Sequence, residues 1–349
     1  MSKHRVYIKS INDIDESLVE IFDSFELNNL LRRRVFVKPN MLRPAEPEEA
    51  VATNPELIAH VVSFLTRAGA DVTVGDNPVP NKSYTELQIA DQCGFLEAAQ
   101  GKFRSIGKYS KLIKRPNNML KEIYVSKEIA DCDILISLPK FRTHDLTTMT
   151  LAVKNQFGII PGGLKPYIHS QFPKIDDFGK VLLEIYDLCP PDLIILDCIN
   201  IVDGRGKKYR PGKLIIGANG HAVDHTCALL AGITPDRVPT LRLAREQGLY
   251  DPDNIEVCGR FDVIKGYAVP FQFPFRSSIV QSVAQILYRL WLSRTPVINI
   301  QKCTDCGLCE DVCPAHCIRD RFIDHRKCLK CYCCIEVCGN QAIRTKFRI

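Results

Sequence analysis

Residues 1–260 predict a doubly wound α/β domain with a mainly parallel sheet, followed by a connector and a small α+β unit. Three observations carry this. Strand-like and helix-like patterns alternate along most of the chain, the signature of βαβ units. The strands are unbroken apolar runs, such as Val35-Phe36-Val37 and Ile134-Leu135-Ile136, as expected when both faces are covered. Beyond residue 296, one cysteine spacing occurs twice.

Taken in order, Val6-Tyr7-Ile8 predicts an edge strand, and Ile14 to Leu31 a helix by apolar spacing. Val35-Phe36-Val37 ends in Lys38-Pro39-Asn40. Asn54-Pro55 opens the next helix with an N-cap and a first-turn proline, and Gly69 stops it. Asp71 to Gly75 is a strand ending in Asp76-Asn77. Tyr84 to Gln100 predicts one helix, whereas 101–130 is basic and irregular. The strand at 134–136 ends in Pro139-Lys140, and the middle of 141–163 has a helix-like pattern. Phe178 to Leu188 is helical, Leu193 to Leu196 a strand ending at Asp197, and Leu214 to Ile216 a strand ending near Asn219. Helices follow near 221–230 and 241–247.

The connector, 261–296, is extended by its prolines and then forms an amphipathic helix over Ser277 to Leu292. Its apolar face predicts docking onto the α/β domain or onto a second copy of the chain, which leaves a homodimer open. Peripheral membrane contact is the minor reading.

The last unit, 297–349, contains CTDCGLCEDVCPAHCIRDRFIDHRKCLKCYCCIEVCGN. Cys303, Cys306, Cys309 and Cys313-Pro314 match C-x2-C-x2-C-x3-C-P, and Cys328, Cys331, Cys334 and Cys338 repeat the spacing with Gly339 in the proline position. A disulfide framework is disfavoured without a secretory leader, and zinc sites use paired rather than tripled cysteines. Segment 297–346 resembles the bacterial two-cluster ferredoxin, in which the fourth ligand of each cluster comes from the other motif. That resemblance assigns Cys303, Cys306, Cys309 and Cys338 to one [4Fe-4S] cluster and Cys328, Cys331, Cys334 and Cys313 to a second. Cys317 and Cys333 are then extra, non-ligating thiols.

The formal charge of +6 falls to about +2 once two clusters with four thiolates each are bound. No basic run or aromatic-interleaved patch points to nucleic acid. No apolar run is long enough for a transmembrane segment, and the first residues carry no signal core. Sixteen cysteines then predict a reducing cytoplasm, and low-potential clusters would suit an anaerobe.

The segments VFVKPNML, GADVTVGDNP and LPKFRTHDLTTMTLAVKNQFGIIPG, with AVDHTCALLAG at 222–232, resemble the DUF362 family. The resemblance covers residues 5–260 and implies a fold and a site but no reaction. It also implies a distant relationship to the nickel-pincer lactate racemases.

In doubly wound sheets, ligands sit outside the carboxyl ends of the strands. Lys38, Asn40, Asp76, Asn155 and Asn219 are the candidate ligand-binding residues there, and Lys140, His144 and Lys154 the candidate catalytic ones. His169 lies just beyond the Gly162-Gly163 loop. Lysines after buried strands suit an anionic group. His221, Asp224 and His225 share a helix; helix capping and N-terminal stabilisation are favoured there over paired metal ligands. No P-loop or G-x-G-x-x-G fingerprint occurs.

The expected function is electron passage through two [4Fe-4S] clusters to a substrate, cofactor or partner at this edge, as a reductase or as a carrier. The partner would be a redox protein or a small anionic substrate, with any further ligand of the α/β domain unidentified. The alternatives are a binding or maturation protein with structural clusters, and a metal-dependent non-redox enzyme.

Overall fold

The computed structural model describes residues 3–78, 84–144, 147–172, 174–269, 294–311, 313, 315–328, 334, 338, 340 and 342–347. The connector helix expected over 277–292, Cys331 and Cys333 lie outside the described residues.

In the first 150 residues, strands β1 (His4–Ser10), β2 (Arg34–Pro39) and β3 (Asp71–Val74) alternate with helices α1 (Ile14–Ser24), α2 (Pro55–Arg67), α3 (Glu86–Gln92) and α4 (Phe95–Ala98). A hairpin of β4 (Ser110–Lys114) and β5 (Glu122–Ser126), then α5 (Lys127–Ala130), precedes β6 (Ile134–Leu138). Next come β7 (Arg142–His144), β8 (Thr148–Thr150), α6 (Ala152–Asn155), α7 (Leu164–Gln171) and α8 (Ile175–Leu188). The remainder of this part comprises β9 (Leu193–Cys198), β10 (Ile201–Val202), β11 (Lys208–Tyr209), β12 (Lys213–Gly217), α9 (Gly220–Leu230), α10 (Pro239–Glu246) and β13 (Ile255–Cys258).

Seven strands form one sheet in the order β13-β1-β12-β9-β6-β2-β3. The pairings β13–β1, β9–β6, β6–β2 and β2–β3 are parallel, whereas β12 is antiparallel to both neighbours. All other strands of the sheet therefore share one direction, and their carboxyl ends lie at one edge. This is the expected mainly parallel α/β sheet, with a correction: β1 is interior, because β13 pairs outside it.

Side chains alternate across the sheet with period two. Val35, Val37, Ile134, Ile136, Leu193, Ile195, Leu214 and Ile216 pack with residues of α1 to α4 on one face. Phe36 and Leu135 face the other way against Phe178, Val181, Leu182 and Ile185 of α8. Val6, Ile8, Ile194, Leu196 and Ile215 point to that same side, toward α9 and α10.

Local chemistry explains where other elements differ from the sequence reading. Helix α1 stops at Ser24, and Glu26 just beyond it takes a left-handed φ of 58°. The single helix expected over 84–100 is split at Gly94, whose φ of 74° ends α3 and starts α4. Residues 101–130 contain the β4–β5 hairpin. The stretch expected to be helix-like after residue 141 folds first as the β7–β8 hairpin, with Thr148 at φ 65°.

In the C-terminal part, β14 (Arg294–Ile298) pairs antiparallel with β17 (Ile343–Phe347), and β15 (Ile318–Arg319) with β16 (Phe322–Ile323). A short helix, Leu308–Asp311, carries Cys309. The first and last strands of the unit pair with each other, which brings the two cysteine motifs together.

Candidate functional site

Lys38, on β2, points to the face of the sheet that also carries Phe36. Its ammonium lies 2.7 Å from Asp76 Oδ1, and both side chains are buried. Burial pulls the Lys38 ammonium down, and Asp76 opposes that shift. Asp76 also accepts from the Met41 amide at 2.7 Å and the Asn77 amide at 2.9 Å. Asn155, on α6, donates to Ser137 Oγ at 2.9 Å and accepts from Lys38 and Asn40 at 3.4 Å each. The other buried atom of this group, Asn40 Oδ1, has no hydrogen-bond partner among the described residues. Four sequence candidates, Lys38, Asn40, Asp76 and Asn155, thus converge at the carboxyl ends of β2, β3 and β6.

Lys140 is a second internal pair. Its ammonium lies 2.7 Å from Asp197 Oδ2, with both side chains buried. The Asp197 carboxylate also accepts from the amides of Asn54, at 2.7 Å, and Ile199, at 2.9 Å. Lys38 and Lys140 are therefore each paired with a buried carboxylate at the strand ends.

Lys154 differs. No acidic group among the described residues offsets it; burial, Lys165 and Arg142 push its ammonium down to about 7. It lies 5.4 Å from the ring centre of Phe157 and 5.8 Å from that of Phe178. Lys165 reaches the same Phe157 ring at 5.9 Å and donates to the carbonyl of Asn77. One turn later on α7, His169 stacks on Phe178 at 4.2 Å and meets Phe157 edge-on. Burial and Lys154 push His169 down to about 4, and burial, Lys154 and Arg142 push His144 down to about 2. Both imidazoles are neutral at physiological pH. Near Lys165, the Glu86 carboxyl is pushed up to about 7, chiefly by burial, although it accepts from Ser105. Lys165, Arg142 and Glu86 escaped the sequence reading. Only the one-turn spacing of Lys165 and His169 hinted at the first.

Asn219 belongs elsewhere. Because β12 is reversed, its end at Gly217 pairs with Ile194 at the start of β9, at the opposite edge of the sheet. Asn219 caps α9 by accepting from Ala222 at 3.0 Å. His221 packs between Tyr186 and Tyr250, and His225 meets the Tyr250 hydroxyl at 3.3 Å. Asp224 accepts from the amides of Ala152 and Val153, so it caps α6 rather than its own helix. No group of three His, Cys, Asp or Glu among the described residues is placed to hold a single metal ion. A separate apolar concavity is lined by Ile8, Cys198, Tyr209 and Ile264, with an Arg260–Asp262 pair on its wall. None of the chemical candidates lines it.

In the C-terminal part, Cys303, Cys306, Cys309 and Cys338 line one concavity. Cys313, Cys317 and Cys334 are buried in an apolar cluster with Ile318 and Ile323, and Cys328 packs against it. Two backbone amides donate to sulfur, Ala342 to Cys338 at 3.2 Å and Cys317 to Cys313 at 3.4 Å. A cubane takes one thiolate per iron and is tuned by such N–H···S contacts, so these residues fit the group. The extra thiol, Cys317, lies 3.5 Å from Cys313 Sγ.

Residues 35–229 match the family model DUF362, a domain of unknown function. The chain belongs to the DUF362 family. This DUF362 chain also carries a 4Fe-4S binding domain, matched over residues 296–319. It is 31% identical over 227 residues to the thylakoid-associated protein sll1697 of Synechocystis sp., covering 62% of this chain and 68% of that one. Among solved structures, it is similar to the lactate racemase apoprotein of Thermoanaerobacterium thermosaccharolyticum, with 14% identity and a TM-score of 0.44. That likeness covers 66% of this chain and 58% of the racemase. A Thermotoga maritima protein matches with 10% identity and a TM-score of 0.39, over 64% of this chain and 59% of that one. The chain thus spans less than two thirds of either solved structure.

Proposed function

We propose that this DUF362 protein is an electron-transfer protein with two [4Fe-4S] clusters. It would pass electrons to a substrate, cofactor or redox partner held at the strand-end edge of the α/β domain. We infer a division into an α/β domain (1–260), a connector (261–296) and a two-cluster domain (297–349). The carrying observation is that Cys338, from the second cysteine motif, shares a concavity with Cys303, Cys306 and Cys309 of the first. This supports the interleaved arrangement by which a duplicated motif holds two clusters. A purely structural role would need only one.

Bound clusters would supply one-electron chemistry. The chain's own residues would hold them in a partly apolar shell and direct amides at the sulfurs. Lys154, His144 and Asn155 remain as site residues, with Lys38 and Lys140 as the buried pairs that position them. No helix among the described residues is long and apolar enough to cross a membrane.

The test is an anaerobic reductive titration of the iron-loaded chain, followed by electron paramagnetic resonance. Uptake of about two electrons per chain, one per cluster, is expected. A fully loaded chain that accepts no electrons from a strong reductant such as dithionite would leave only a structural role.

A further inference from the structure

A mainly apolar concavity of about 300 Å³ opens beside the carboxyl ends of β1 and β9. There Lys213, at the start of the reversed strand β12, pairs with Ser10 on one side and Cys198 on the other. Cys198 directly follows Asp197, the partner of Lys140, so the concavity belongs to the same strand-end edge. Its buried lining is Ile8, Cys198 and Leu230, which pack in the core cluster between the sheet and α9.

The wall formed by residues 260–264 is held in place from both sides. It follows β13, which pairs with β1, and a Cβ at Gly259 would overlap the Ile8 carbonyl oxygen. The Ile264 amide donates to the Leu230 carbonyl at 2.7 Å, and the Tyr209 hydroxyl donates to the Gly266 carbonyl at 2.7 Å. A concavity tied in this way exists before any ligand arrives, so binding does not first have to order a loop.

Its charges are one-sided. Arg210, Lys213 and Arg260 line it against one acid, Asp262, whose carboxylate lies 2.8 Å from Arg260. Arg210 and Lys213 have no salt bridge and no side-chain hydrogen bond among the described residues. Residues 270–293, which follow this wall in the chain, contain no Asp or Glu and add Arg276 and Arg289. They would cover the apolar lining but would increase the excess of positive charge. The occupant that matches both features has an apolar body and a negative group.

We propose that this concavity binds a small amphipathic carboxylate, its hydrocarbon body on Ile8, Cys198 and Leu230 and its carboxylate at Arg210 and Lys213. This rests on the reading of the strand-end edge as the ligand site of the α/β domain, and it names the class of that ligand. A guanidinium meets a carboxylate through two parallel N–H···O bonds, and an ammonium adds a third donor. Val263, 49% exposed at the same concavity, offers the hydrocarbon body a further contact. The volume is at the small end for ligand sites, which suits a medium-length chain or a single ring system and excludes a nucleotide or a folded peptide.

The experiment titrates the iron-loaded full chain calorimetrically with octanoate, acetate, octanol and octylamine at constant ionic strength. Affinity should rise roughly fourfold for each methylene added between acetate and octanoate, as expected for buried hydrocarbon. Octylamine, of the same length and opposite charge, should bind about tenfold more weakly than octanoate or worse. Arg210→Met and Lys213→Met should each weaken octanoate about three- to tenfold and leave octanol unchanged. Val263→Glu should weaken both. An unchanged visible spectrum and melting temperature show that each variant is folded. Octylamine or acetate as tight as octanoate, or octanoate affinity unaltered by all three substitutions, would each overturn the proposal. No octanoate binding would overturn it too, and would mean that another part of the chain fills the concavity. Normal electron uptake without octanoate binding would sink this site and leave the electron-transfer reading. Octanoate binding that is sensitive to Lys213→Met, in a chain that accepts no electrons, would do the reverse.

Discussion

Lys38 and Asp76 form an ion pair of 2.7 Å in which both side chains are buried. Breaking one member of such a pair costs more than replacing both, because the survivor is left buried and uncompensated. Lys38→Met should destabilise the protein by about 3–5 kcal/mol, and the double variant Lys38→Met/Asp76→Leu should recover most of that loss. Urea midpoints of the two variants provide the comparison. A single variant as stable as the wild type would mean that the pair is open to water.

Gly158 lies against this pair. A Cβ at residue 158 would overlap both Asp76 Oδ1 and the Lys38 ammonium. Gly158→Ala should therefore destabilise by about 1–3 kcal/mol, the usual cost of overpacking, although Gly158 has no charge and no positive φ. The effect should shrink in the Lys38→Met/Asp76→Leu background, where the crowded charges are gone.

Two shifted groups give opposite pH slopes. The Lys154 ammonium falls from 10.5 unfolded to about 7 folded, so between those values the unfolded chain binds more protons. Stability contributed by Lys154 thus rises with pH from about 7 to 10.5 and is lowest below 7. Glu86 rises from 4.5 to about 7, so the folded state binds more protons there and stability falls across that interval. In ligand-free protein, Lys154→Met should raise the melting temperature at pH 6 and flatten the alkaline slope. Glu86→Gln should flatten the slope below neutrality. Unaltered pH profiles in both variants would show that neither group is shifted.

The reconstituted chain should contain about eight iron and eight acid-labile sulfide atoms, four of each per cluster. Although Cys317 touches Cys313, Cys317→Ala should leave that stoichiometry intact, because the proposed ligand sets give each cluster four other thiols. Cys306→Ala should damage the cluster held in the concavity it lines. About four iron atoms in a fully reconstituted sample would contradict the two-cluster reading.

The sequence by itself determined the α/β alternation, the identity of the central strands and the polar strand ends, and it paired Cys338 with the first motif through the ferredoxin resemblance. These are local matters: apolar runs reveal buried strands, and cysteine spacing is a property of a short chain segment. Tertiary structure alone decided the direction of β12, which moved Asn219 to the opposite edge. It also decided which lysines meet a carboxylate among the described residues. Lys38, Lys140 and Lys154 read alike in sequence, each following an apolar stretch, yet two meet carboxylates and the third meets cations and rings. Their partners Asp76, Asp197 and Lys165 come from other strand ends or another helix. Whether a buried charge is neutralised depends on what docks against it, and local sequence patterns carry no record of that contact.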